Sequence, residues 1–378
     1  MRKEGISISL SIPRIFFYNI IDLQRMERDA AMRVLETYIV AGLTGLLFYH
    51  LHSPIPWMLG AITGMLLWKT VVKRKVAAPK ALSNSGLIVL GTYFGLSFTK
   101  ETLATIAPYI VPFLAVAVLL IAINILNSIA VTKWTHIDKV TSVFASVPGG
   151  LSEMVAASES LNANTALVTI FQTIRLLTVV FLVPSIVVYW LNGNAAASSA
   201  TAQAAAASSD GHYAWFLLSI FGALLLRNVI PAAYVVGPLA VTAAMHVFGV
   251  NLPSLPAWLI ILAQISVGMN MGNRITLEDI KLGGKFGWVY FLLALVLIAL
   301  SFGCGYLFAK ITNLPLATAL LSLAPGGLVE MVLTAQTVGG DPAIVSSLQF
   351  VRFLLVIIVV PNVLKWVFRK FPSMAETS

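Results

Sequence analysis

Charge is what this sequence has least of. Only 10% of its 378 residues are Asp, Glu, Lys or Arg, where a soluble protein carries about 25% to cover its surface. With 58% apolar residues and a mean hydropathy of +0.91, the chain cannot rest in water, which excludes a soluble globular domain. Cysteine is nearly absent. Cys304 stands alone, so no intrachain disulfide can form, and it reads as a small helix-packing residue. Histidine is sparse as well: His50, His52, His136, His212 and His246 do not cluster. The first two are close, but no third ligand lies near them, so neither a metal nor another cofactor is expected. No nucleotide-binding motif is present, which leaves an ion gradient as the driving force for any active process. The net charge of +9 is scattered between apolar runs, with no basic domain to present it to a duplex. Nucleic acid is therefore not an expected partner. Dispersed juxtamembrane cations instead set topology and meet anionic lipid headgroups.

What the chain does have is a second copy of itself. Pro148-Gly149-Gly150-Leu151-Ser152-Glu153-Met154 returns as Pro325-Gly326-Gly327-Leu328-Val329-Glu330-Met331, 177 positions on. The register holds without a gap downstream, Gln172 with Gln349, Arg175 with Arg352 and Pro184 with Pro361. Upstream it pairs Gly60 with Gly237, Gly91 with Gly268, Gly95 with Gly272 and Glu101 with Glu278. A tandem duplication follows.

Residues 1–34 hold six basic and four acidic side chains, too polar for a secretory signal peptide, and are expected to be a cytoplasmic extension. The first repeat, 35–191, gives apolar segments at about 36–51, 55–72, 82–99, 106–132, 140–158 and 163–190. The second, 213–368, gives 213–228, 232–249, 256–273, 286–309, 317–337 and 342–366. Between them, 192–212 is an Ala/Ser-rich linker, and 369–378 is a cytoplasmic tail. The fifth segment of each repeat is short and broken by Pro-Gly-Gly. Non-helical backbone at membrane depth survives only inside protein or along a cavity, so a re-entrant hairpin fits better than a crossing. Five crossings per repeat then invert the second copy. With the N-terminus inside, 20 Lys and Arg fall on the cytoplasmic side and only Lys100 and Lys310 outside. A parallel twelve-helix arrangement gives 17 against five. The expected fold is an all-α polytopic membrane protein of two inverted repeats, with both termini cytoplasmic in a bacterial inner membrane.

The candidate site is built from the doubled motif. Pro148, Gly149, Gly150 and Ser152, with Pro325, Gly326 and Gly327, would expose backbone amides and carbonyls at a helix break, as discontinuous transporter helices do. The alternative is a packing kink. Glu153 and Glu330 sit three residues past the last glycine of the break, where a helix dipole favours a carboxylate; they are candidate proton or cation carriers or simple N-terminal charges. Arg175 and Arg352 lie in the long last helices, where a charge costs about 2.5–3.5 kcal/mol on insertion scales. They need partners: an anionic solute gripped by guanidinium forks, or a structural ion pair with the acids. Gln172 and Gln349 share their helical faces. Asn124, Asn127 and Ser128 read as interhelical hydrogen bonds, and the Gly-x-x-x-Gly pairs at 91/95 and 268/272 as close helix packing.

The blocks PGGLSEM with FQTIRLLTVVFLVP and PGGLVEM with LQFVRFLLVIIVVP, and SPIPWMLGAITG at 53–64, resemble the AbrB family of duplicated bacterial membrane proteins over nearly the whole chain from residue 35. Members of that family are labelled ammonia monooxygenases or transcriptional regulators. Oxygen chemistry would need clustered His or carboxylate ligands, and DNA reading a groove-fitting element; the sequence offers neither. The arrangement of crossings and Gly-Gly hairpins is similar to that of glutamate and citrate secondary carriers, an analogy of architecture that names no substrate. The reading is a secondary transporter of a small, anionic solute and not an enzyme. A regulatory membrane protein and a monooxygenase subunit stay open as alternatives, and a homodimer is compatible with each.

Overall fold

The computed structural model describes residues 12–370, apart from 75, 150, 192–211, 229–231 and 276–282. Every regular element among them is a helix, and the fifth apolar segment of each repeat became two. The first repeat holds α1 (Ile12–His50), α2 (Pro56–Leu67), α3 (Lys80–Gly95) and α4 (Lys100–Thr135). It continues with α5 (Lys139–Ser146), α6 (Leu151–Glu159) and α7 (Thr165–Leu191). The second holds α8 (Phe216–Leu226), α9 (Ala233–Val247), α10 (Ala257–Arg274) and α11 (Gly284–Thr312). After these come α12 (Leu316–Leu323), α13 (Leu328–Thr337), α14 (Pro342–Leu354) and α15 (Val360–Lys370). A π-helical turn, Leu355–Val359, joins the last two. Helix α1 runs unbroken from Ile12 past residue 34, so residues 12–34 of the expected extension are continuous with the first membrane helix, while 1–11 lie outside the described residues. The linker at 192–212, save His212, and the tail beyond 370 lie outside the described residues.

Among the described residues, five spans are long and apolar enough to cross about 30 Å of hydrocarbon: Ala31–His50, Lys100–Thr135, Thr165–Leu191, Phe286–Thr312 and Pro342–Phe368. Their outer faces carry bare Leu43, Val111, Leu292 and Ile311. Such a surface would aggregate in water and matches lipid instead. Trp134, Trp190, Trp288 and Trp366 are exposed near helix ends, where amphipathic rings settle at membrane interfaces.

The helices form two layers. One contains α1, α2 and α3 with α8, α9 and α10; the other contains α4 to α7 with α11 to α15. Small residues let the first layer close. Gly91 of α3 lies against the Val235 carbonyl of α9, and Gly268 of α10 against the Met58 carbonyl of α2. These are the same contact, made once by each copy toward the other. Any Cβ at either glycine would collide with backbone. The equivalent helices α3 and α10 also touch directly and run in opposite directions. Gly86 meets Ala263 and Ser266, while Asn270, further along α10, donates to the Ser83 hydroxyl at 3.0 Å, earlier on α3. Between the layers, Met58, Leu59 and Phe94 pack with Val179, Val183, Met331 and Val332 in one apolar cluster.

Candidate functional site

Each doubled motif breaks a helix in the second layer. Helix α5 ends where Val147 turns extended (φ −60°, ψ 128°), and α12 ends where Ala324 does the same (φ −58°, ψ 134°). The cause is the next residue: Pro148 and Pro325 lack an N–H and push the preceding residue out of the helical region. The last carbonyls of α5 and α12 thereby lose their helical partners. Deep in the protein, no bulk water replaces them.

Helix α7 supplies the partners for the first break and α14 for the second. Gln172 Nε2 donates to the Phe144 and Val147 carbonyls at 2.6 and 3.0 Å. Arg175 donates to the Val147 and Gly149 carbonyls at 2.7 and 3.3 Å. In the second copy Gln349 donates to the Leu321 and Ala324 carbonyls at 2.5 and 3.3 Å. Arg352 donates to the Ala324 carbonyl, and to the Leu323 and Gly326 carbonyls at 3.4 and 2.8 Å. All of these partners repeat at a spacing of 177 residues except the extra Leu323 contact. The arginines thus clamp helix breaks, and neither forms an ion pair with a carboxylate among the described residues.

The chain returns on itself across each break. Thr141, in the first turn of α5, accepts from the Asn164 N–H at 2.8 Å, and Thr318 of α12 accepts from the Asp341 N–H at 3.0 Å. Both donors immediately precede or cap the long helices α7 and α14, so each break sits at the far end of a loop that leaves and comes back.

Glu330 is buried, 3% exposed, in the first turn of α13. Its carboxylate folds back over Gly327, the N-cap, so closely that a Cβ on Gly327 would collide with it. This is the reach of an acid at the third helical position toward its own helix start. Gly326 is covered in the same way by the Met331 thioether, as Gly149 is by Met154. Gly150 lies outside the described residues, as do the side chains of Ser152 and Glu153. Tyr93 of α3 hydrogen-bonds Gln336 of α13, linking the second break's helix to the other layer.

Behind the first break the duplication stops being symmetric. Asn124 Nδ2 donates to the Ser146 carbonyl at 2.8 Å, and the Ser128 and Ser142 hydroxyls bond at 2.9 Å. Tyr290 of α11 donates to Ser142 at 2.9 Å and stacks on Phe171 with ring centroids 3.8 Å apart. Asn124, Ser146, Arg175 and Tyr290 line a cavity of about 10 Å³ together with apolar side chains of α11, enough for roughly one water molecule. Gln172 Oε1, on the helix that carries Arg175, is buried without a hydrogen-bond partner among the described residues. The counterparts of Ser142, Ser146 and Tyr290 are Ala319, Leu323 and Phe113. Phe113 and Leu323 pack with Phe308 and Leu348 in an apolar cluster. Sequence reasoning saw Asn124 and Ser128 as interhelical bonds, which they are, but missed Tyr290. The signal was available in a position-by-position comparison of the two copies, where Tyr290 faces Phe113.

Compared with known proteins, the chain matches over residues 57–368 a family model described as transition state regulatory protein AbrB. The YhjN protein of Bacillus subtilis (strain 168) is 27% identical over 291 residues, covering 73% of this chain and 76% of that one. A protein of Escherichia coli (strain K12) named as a regulator, AbrB, is 22% identical over 334 residues, covering 85% and 92%. No solved structure matches the chain significantly.

Proposed function

The chain belongs to the AbrB family, and from that membership and the site geometry we propose that it is a secondary transporter of a small anionic solute. It works in a bacterial inner membrane as two inverted repeats, with both termini cytoplasmic. The observation that carries the reading is the pair of Arg-clamped helix breaks, since an interrupted helix held open by buried cations is the architecture of a solute site. Inversion is supported by the opposite directions of α3 and α10 and by the distribution of Lys and Arg. Re-entrant hairpins are supported by the Thr141–Asn164 and Thr318–Asp341 bonds.

An anion is favoured because each break holds a guanidinium group, Arg175 or Arg352, inside the low-dielectric protein. Their spare N–H groups would hold it, while the carbonyl clamps keep the breaks in shape. The polar cavity of the first half, with Asn124 and Tyr290, is the side on which the solute would rest. Glu330, and Glu153 by its matching position, would carry the coupling proton: a neutral Glu330 no longer competes for the start of α13. The two layers would move past each other along their apolar contact. The proposal includes no enzymatic activity and no metal. A second reading, regulation of gene expression without transport, draws on the names of the family model and of the Escherichia coli relative.

Uptake of short mono- and dicarboxylates into proteoliposomes, with and without an inward proton gradient, tests the transporter. Wild type should take up one of them saturably and faster with the gradient. Glu330→Gln should keep exchange but lose the gradient's effect. Wild-type protein that moves none of them, and whose melting none of them shifts, would leave the regulatory reading standing.

A further inference from the structure

The end of α2 gathers cations where the lipid-facing surface stops. The helix loosens into a π turn, Trp68–Val72, and terminates at Lys73, which takes a left-handed φ of 55°. Lys69, Lys73, Arg74 and Asn273 line a cleft of about 360 Å³ with Val76. Lys69 is committed to the fold: its Nζ donates to the Asn273 and Ile275 carbonyls at 2.7 and 2.9 Å, tying the end of α2 to the end of α10. Arg74 gives one N–H to Glu36 at 2.6 Å and remains 65% exposed. Lys73 is exposed and has no hydrogen bond or ion pair among the described residues.

Directly before these cations, Leu67 and Val71 stand four residues apart, 54% and 72% exposed. On the antiparallel α1, Leu35 and Ile39 are bare on either side of Glu36. In a bilayer these side chains meet acyl chains, and the cleft lies at their border, at the depth of a headgroup.

The duplication contains its own control. Lys69 is matched by His246, whose Nδ1 lies 2.7 Å from the Phe98 carbonyl, and Phe98 is the counterpart of Ile275. The tether is therefore kept in both copies. Lys73 and Arg74 are matched by Val250 and Asn251. The fold needs the tether twice, but the two cations appear only once.

We propose that Lys73, Arg74 and Asn273 form a site for the phosphate of an anionic phospholipid, whose acyl chains run along Leu67 and Val71. The charge of the cleft selects an anion, and the apolar strip leading into it selects one that carries hydrocarbon. The inference is independent of transport.

Native mass spectrometry and thermal melting of the purified full chain test it, with phosphatidylglycerol against phosphatidylcholine and with inorganic phosphate as a third arm. Phosphatidylglycerol should be retained and raise the melting temperature beyond phosphatidylcholine, and inorganic phosphate should do neither. Lys73→Ala with Arg74→Ala should weaken phosphatidylglycerol binding roughly tenfold or more, given the contribution of each cation near a membrane surface. Its melting in phosphatidylcholine should stay that of wild type. Glu36→Gln, which removes the ion pair and leaves the cations, should bind at least as well as wild type. The double variant retaining phosphatidylglycerol like wild type would overturn the proposal. So would inorganic phosphate protecting as well as the lipid, which marks a free-anion site. Glu36→Gln losing as much as the double variant would overturn it too, since the effect would then be structural.

Discussion

Arg352 does at the second break what backbone N–H groups do inside a helix. Its fork satisfies carbonyls that Pro325 orphaned, and it can reach Ala324 and Gly326 together because the guanidinium is planar with donors on two arms. A buried carbonyl left unpaired costs about 1–3 kcal/mol. Arg352→Gln should therefore destabilise the folded protein by about 2–4 kcal/mol, read by denaturant unfolding in mild detergent. Arg352→Lys should recover little, since one ammonium is a compact point charge on a flexible stem and does not replace a fork. A lysine variant as stable as wild type would show that charge alone, not the clamp, is what the position needs. At this scale the residue types were legible in advance: two arginines in apolar helices demand partners. Which partners they found was not, because carbonyls freed by a break leave no mark on the sequence beyond the proline and glycines that free them.

Helices α2, α3, α9 and α10 show what a duplication does to packing. Each copy offers a glycine pair on its third helix and receives the other's on its second, a self-complementary contact of the kind a two-fold axis generates. Gly91→Leu and Gly268→Leu should then be equally damaging, each by about 3 kcal/mol or more, because the listener in each case is a main-chain carbonyl that cannot rotate away. The check is melting temperature and monodispersity of the two variants side by side. A large difference between them would mean the copies do not bear equal loads. The Gly-x-x-x-Gly spacing announced close packing from the sequence. It did not announce that the partner helix came from the other copy, since a spacing describes one face of one helix.

The whole molecule is arranged so that the second layer carries both breaks and the first layer holds most of the glycine contacts, with one apolar cluster between them. If the copies are inverted, the linker and the loop after α10 face opposite sides of the membrane. On a Cys304→Ser background, Asn194→Cys and Lys281→Cys should label with an impermeant thiol reagent from opposite sides, Lys281→Cys from the cytoplasm. Labelling of the Asn194 site from the cytoplasm would sink inversion, and with it the proposal that the two breaks serve one solute.

Composition alone determined the solvent of this protein, because a chain with so few charges cannot cover itself in water. The duplication, the positions of the twelve apolar segments and the break in each fifth one were also written in the sequence, since proline and glycine act locally on the backbone. Tertiary structure decided the rest. It brought Arg175 and Arg352 to the carbonyls of the helix breaks, folded Glu330 back over Gly327, and set Tyr290 of the second copy against Ser142 of the first. Those are contacts between segments far apart in the chain, and a local pattern carries no information about which distant segment will arrive beside it.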